Sequence, residues 1–172
     1  MLSNEEILLR PLSAGDTEFV LSLRNHLESS AFFFSDPPLY DFQHAQWLSQ
    51  VPPNNLEFII EYRGEKAGQI RLTHVSFRHS RGEFGIVLSP AFQGKGIATQ
   101  ATRMFLEFVF STFPIRKITL ELFEDNAPAR KLYEKMGFEL EGVFKDEYLK
   151  NQRWCSVLRM ALFKEKWEKR ES

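Results

Sequence analysis

The sequence predicts an α+β domain: a mixed, largely antiparallel sheet of about seven strands flanked by about four helices. Three observations predict it. A length of 172 residues suits one domain, residues 1–172, able to bury its own core. The apolar period turns from helical to strand-like near Glu57 and back after Ser89-Pro90. The chain then reaches two long strand-like runs, Phe138 to Leu149 and Arg153 to Phe163, that turn at Asn151-Gln152.

Ile7 to Leu12 is a short apolar run whose Pro11 ends a first strand. Asp16 is read as an N-cap, with Phe19, Val20, Leu23 and Leu27 at helical spacing, so a helix is expected over Asp16 to Leu27. Ser29 to Tyr40 holds Phe32-Phe33-Phe34 and Pro37-Pro38. Prolines lack a donor and restrict their predecessors, so this is an aromatic loop. Asp41 caps a second short helix through Gln50, with Phe42, Ala45 and Leu48 on its apolar face.

Phe58 to Tyr62, Ala67 to Val75 and Gly82 to Leu88 form an antiparallel meander, turning first at residues 63–66. Ile97, Ala101, Met104 or Phe105, and Phe108 mark a helix that reaches about Phe110 before Pro114. Ile118 to Phe123 follows as a strand, so strand, loop, helix and strand make a crossover with parallel edges. Ala127 to Met136 is a helix ended by Gly137, and the terminal hairpin completes the sheet.

Composition excludes several function classes. Net charge is −1 with Lys and Arg scattered, so no basic stripe exists for a nucleic acid. The lone Cys155 allows neither a disulfide framework nor a paired-cysteine metal site, and the 4 histidines show no ligand spacing, so no metal is expected. Met1 to Arg10 carries Glu5 and Glu6 and lacks the features of a secretory leader, and no apolar run approaches the roughly 20 residues of a membrane span. A cytoplasmic protein without membrane contact is expected.

Gln93-Gly94-Lys95-Gly96-Ile97-Ala98-Thr99 lies between a strand and a helix, where free N–H groups and the helix dipole favour an anion. Glycines let the backbone approach a pyrophosphate, Ala98 keeps the first turn clear, and Lys95 and Thr99 add donors. An ordinary surface loop is the plainer alternative. The segment fits neither GxxxxGK[ST] nor GxGxxG, because no glycine precedes Gly94 at the needed spacing and Thr99 stands at the third glycine.

The segment Gln93 to Ala98 resembles the Q/R-x-x-G-x-G/A acetyl-CoA motif of the GCN5-related N-acetyltransferase (GNAT) superfamily. The strand Glu83 to Leu88 before it and Asn126 to Phe138 after it are similar to that family's flanking segments in order and spacing. Leu8-Leu9-Arg10-Pro11-Leu12 looks like the branch holding ribosomal-protein N-terminal acetyltransferases and bacterial spermidine acetyltransferases. The resemblance implies a sheet that splays after Glu83 to Leu88, leaving Ile86, Val87 and Leu88 backbone groups to pair with pantetheine. It places the pyrophosphate on Gln93 to Thr99 and assigns Asn126 and Arg130 to the coenzyme as well.

The same resemblance makes Tyr133 the acid that protonates the departing thiolate and Glu83 a relay for the amine proton through water. The plainer readings are a tyrosine packed on Phe138 and a solvent-facing strand glutamate. His74 and His79 stay outside the expected machinery, and Cys155 lacks a paired base, so direct attack in a ternary complex is expected.

The acceptor is expected to be a primary amine: a protein N-terminus, an amino acid or another small amine. Arg24 to Tyr40 supplies only Glu28 and Asp36 as acids, which counts against a polyamine. Leu23-Arg24-Asn25-His26 with His44 and Trp47 is faintly similar to enzymes of nucleotide-linked amino sugars. A non-catalytic acetyl-CoA sensor is the rival reading. The long aromatic terminal hairpin suggests a homodimer.

Overall fold

The computed structural model describes residues 1–171. β1 (Leu2–Ser3) and β2 (Ile7–Pro11) lead through a 3-10 turn into α1 (Thr17–Asn25), α2 (Leu27–Ser30) and α3 (Asp41–Ser49). β3 (Leu56–Tyr62), β4 (Glu65–Ser76) and β5 (Arg81–Leu88) form the meander. α4 (Ile97–Thr112), β6 (Lys117–Phe123), α5 (Ala127–Met136), β7 (Glu139–Lys150), β8 (Arg153–Phe163) and α6 (Lys164–Glu171) follow. One 8-stranded sheet runs β1-β2-β3-β4-β5-β6-β8-β7, antiparallel except where β5 meets β6.

The mixed α+β class holds, with eight strands and six helices among the described residues in place of about seven and four. The additions are short or polar: two-residue β1, four-residue α2, and α6, whose single apolar side chain is Trp167. Trp167 is nonetheless 2% exposed, packed near Phe110, and its indole N–H donates to Glu107 Oε2 at 3.0 Å.

Three local expectations are corrected. Asp16 does not cap α1: its carboxylate is turned back to Arg10 and Lys66, each at 2.8 Å, and to the Ser13 N–H and hydroxyl. The helix expected through Leu27 breaks at His26, whose backbone is extended, while the Asn25 side chain clasps Leu39 N–H and C=O at 2.7 and 2.9 Å. In α3 the buried residue is His44, whereas Phe42 stands 64% exposed. His44 Nδ1 reaches the Thr17 hydroxyl at 3.2 Å, so a polar contact to α1 sets which face turns inward.

α4 packs against β1, β2, β4 and β5, burying Ile97, Ala101, Phe105, Leu106 and Val109. On β5, Phe84 and Leu88 enter that core while Glu83, Gly85 and Val87 alternate to the opposite face. α1 lies near β4 with Val20 and Leu23 buried. No helix among the described residues is long and apolar enough to cross a membrane.

Candidate functional site

β5 and β6 pair in parallel only at Arg81↔Lys117, Gly82↔Ile118 and Glu83↔Thr119, and then diverge. Residues 84–88 therefore present an unpaired backbone edge, the kind of edge an extended ligand joins as an added strand. The V between the strands opens into a cleft of about 900 Å3. Glu83, Ile86, Val87 and Leu88 line it on one side, and Asn126, Pro128, Leu132 and Tyr133 line it on the other.

At the far end of β5 the chain enters α4 through Gly94 (φ 73°) and Gly96 (φ 77°), left-handed conformations that disfavour side chains. A Cβ at either would meet nothing within 4 Å, so the cleft side of this turn is open. The Gln100 N–H is the first to close on the helix, at Gly96 O (3.2 Å), so the N–H groups of residues 94–99 remain available to an anion. The Gln93 amide fixes the turn by donating to Leu88 O at 3.2 Å. An edge for an amide-rich chain and an anion cradle beyond it fit a coenzyme A molecule.

Tyr133 is 7% exposed, its ring edge-on to Phe84 at 6.1 Å and tilted on Phe138 at 5.8 Å. Burial pushes its phenol up to about 12, against the opposing charge of Arg71, so the proton stays on at neutral pH. Glu83, the last paired residue before the split, has His74 Nδ1 3.4 Å from its carboxylate. A bulge in β4 after Thr73 brings His74 there with φ of 50°. Glu121, on the diverging β6, is shifted upward by burial and then by the charge of Glu83.

The floor carries residues that the sequence reading missed. Gln69 and Arg71 on β4 line the cleft. Glu57, the β3 register partner of Arg71, accepts from the Gln69 amide at 3.0 Å, and burial raises its carboxyl to about 7. The only available signal was strand alternation, which put these side chains on the Glu83 face without showing that the face is open. The roof is Arg24, Glu28, Ser29 and the triple phenylalanine. Arg24 donates to the Ser35 hydroxyl at 2.6 Å and lies 4.2 Å from the Phe33 ring. Phe34 stacks on Tyr148 at 4.8 Å, and Lys150 binds Asp36, so the loop is tied to the β7–β8 hairpin.

Of the expected site residues, Glu83, Ile86, Val87, Leu88, Gln93, Gly94, Gly96, Ile97, Ala98, Thr99, Asn126 and Tyr133 line the one cleft. Lys95 and Arg130 do not: Lys95 lies 5.4 Å from the Phe92 ring, and Arg130 pairs with Glu134 at 2.8 Å. Asn126 caps α5, accepting from the Ala129 N–H at 3.3 Å. The sequence argument against a polyamine counted acids in the acceptor segment alone; the splayed strands add Glu83 and Glu121 to the same cleft.

Comparison with known proteins agrees with this geometry. The family described as "Acetyltransferase (GNAT) domain" matches residues 6–139. The spermidine N(1)-acetyltransferase of Escherichia coli K12 is 31% identical over 97% of this chain and 91% of that relative. The crystal structure of spermidine N-acetyltransferase from Vibrio cholerae in complex with CoA and spermine superposes with a TM-score of 0.90 at 27% identity, covering 96% of this chain and 99% of that one. A dodecameric structure of the Vibrio cholerae enzyme, in an intermediate state, superposes with a TM-score of 0.82 at 26% identity, covering 98% and 100%. The chain belongs to the GNAT family of acetyl-CoA-dependent N-acetyltransferases.

Proposed function

We propose that the protein acetylates the primary amine of a small molecule by direct attack in a ternary complex, with Glu83 and Tyr133 as the proton-handling groups. The observation that carries this reading is the split between β5 and β6, which brings a free strand edge, Glu83 and Tyr133 into one cleft.

Bound acetyl-CoA supplies a thioester whose carbonyl carbon gains the new C–N bond as the C–S bond breaks. The backbone edge of residues 84–88 holds the pantetheine chain, and the N–H groups of residues 94–99 hold the pyrophosphate. Glu83 takes the amine proton through a water, and Tyr133 holds a proton for the departing sulfur and regains it from solvent. Asn126 keeps the start of α5, and through it Tyr133, in place.

Spermidine is the reference acceptor, because relatives matching nearly the whole chain are named for it and Glu28, Glu83 and Glu121 supply carboxylates. Peptide N-termini and amino acids share the chemistry and belong in the same panel. Self-association through the terminal hairpin is part of this reading, supported by its exposed apolar side chains and by the dodecameric relative. The test is thiol release from acetyl-CoA over that amine panel, with Tyr133→Phe as control; tight acetyl-CoA binding without turnover on any amine would leave the sensor reading.

A further inference from the structure

Two arginines in the cleft have no task in acetyl transfer as described. Arg71 makes no hydrogen bond and no ion pair with any described residue, though it is half-buried and lines the cleft floor. Its register partner Glu57 is engaged with Gln69 and lies outside ion-pair distance. Arg24, half-buried in the roof, has only the Ser35 hydroxyl and the Phe33 ring as partners among the described residues. Arg10, Arg63, Arg116, Arg130, Arg153 and Arg159, by contrast, are each paired with a carboxylate.

The two cations also act on one another. Burial, and then the charge of Arg71, pull the Arg24 guanidinium down to about 10, which leaves it charged at neutral pH. Two half-buried guanidiniums with no carboxylate within ion-pair distance among the described residues favour a ligand that neutralises them. The coenzyme phosphates do not fill this role, because their cradle lies beyond Leu88, whereas Arg71 sits opposite Gly85.

We propose that the acceptor carries an oxyanion, a carboxylate or a phosphate, on the same molecule as its reactive amine, and that Arg24 and Arg71 bind it. The geometry is bipolar: Glu83 and Gly85 are two residues apart on one strand face, about 7 Å, so the anion under Arg71 and the amine near Glu83 belong to one compact molecule. A long polycation answers the carboxylates of the cleft but sets ammonium groups against the two guanidiniums, so an acceptor that carries both charges complements the cleft better. This rests on the acetyltransferase reading and narrows its acceptor.

The experiment uses the full chain and matched acceptors: an amino acid against its amide for the carboxylate, glucosamine 6-phosphate against glucosamine for the phosphate, and spermidine. The anionic member of one pair is expected to win in kcat/KM, and which pair responds identifies the oxyanion. Arg71→Gln and Arg24→Gln each raise KM for that acceptor roughly 10- to 100-fold, the worth of a charge-assisted hydrogen bond, with KM for acetyl-CoA unchanged. Preference for spermidine, or a raised KM for acetyl-CoA in Arg71→Gln, overturns the proposal while leaving acetyl transfer intact. Absence of turnover on every amine sinks the acetyltransferase reading instead. Anion binding is then read by thermal shift with coenzyme A present. Stabilisation by phosphate or by an N-acetylated amino acid that the double arginine variant loses supports the proposal, and no stabilisation, or an equal one, overturns it.

Discussion

Arg71 lies across Gly85: a Cβ built on residue 85 would sit 3.1 Å from the Arg71 Nε and 3.5 Å from its Cγ. The absent side chain is what lets a charged residue of β4 lie over β5 beside the split. Gly85→Ala leaves the backbone acceptable, since residue 85 is not in the left-handed region, yet obliges the arginine to move. The expected result is a melting temperature close to wild type and an acceptor KM raised several-fold. An unaltered acceptor KM would separate Arg71 from substrate binding.

Tyr133→Phe keeps the ring that packs on Phe84 and Phe138 and removes only the hydroxyl. If that hydroxyl protonates the departing sulfur, kcat falls by about 100-fold or more while binding of coenzyme A, followed by calorimetry, stays within about 2-fold. A parallel loss of binding and turnover would mark the tyrosine as a packing residue.

How much of this was legible follows from what kind of information each feature needs. Ala127–Met136 and its Gly137 stop were readable because a cap, a period and an αL glycine are all local, and the same holds for the Gly94 and Gly96 turn. α6 was not readable, because only Trp167 of its eight residues is apolar and one position has no period. The cleft floor was missed for a different reason. Gln69, Arg71 and Glu57 become neighbours only through cross-strand register, and the face they share is open because β6 leaves β5 after Glu83. His74 reaches Glu83 through a bulge that alternation does not announce.

Glu57 sets a pH dependence of stability. Its carboxyl lies near 7 in the fold against an ordinary 4.5, so between those values the native chain holds a proton that the unfolded chain has lost. Stability from this group therefore falls as pH rises through that window, by on the order of 3 kcal/mol. Asp16, held well below the usual range by Arg10, acts in the opposite sense and only in acid below about pH 4, so the two effects do not overlap. Urea unfolding at pH 5 and pH 8 should show Glu57→Gln flattening the difference; identical slopes in the two proteins would refute the assignment.

Gly96 holds φ of 77° with nothing near its missing Cβ, so Gly96→Val is disfavoured through the backbone and not through a clash. The cost is about 1–2 kcal/mol if the conformation is kept. If the turn relaxes, the N–H groups of residues 94–99 lose their alignment and KM for acetyl-CoA rises instead. Measuring both quantities on one preparation distinguishes the outcomes, and no change in either would remove the turn from coenzyme binding.

Leu149 and Trp154 are register partners beside the terminal turn, 54% and 60% exposed, and Leu140 and Val143, paired with Met160 and Leu158 on the same face of β8, add exposed apolar side chains along β7, the edge strand. An exposed edge with apolar side chains invites another chain, and burial of Trp154 and Leu149 against a second copy removes the largest of them from water. Leu149→Glu places a charge in that contact without touching the cleft lining. Light scattering after size exclusion should show wild type as an oligomer and the variant shifted toward the 20.1 kDa chain. Loss of oligomers with retained turnover would make assembly independent of the site. Lost turnover would show that the aromatic loop, tied to this hairpin through Asp36 and Lys150, needs the assembled hairpin to hold the acceptor wall. A wild-type chain that elutes as a monomer at micromolar concentration would rule out this interface.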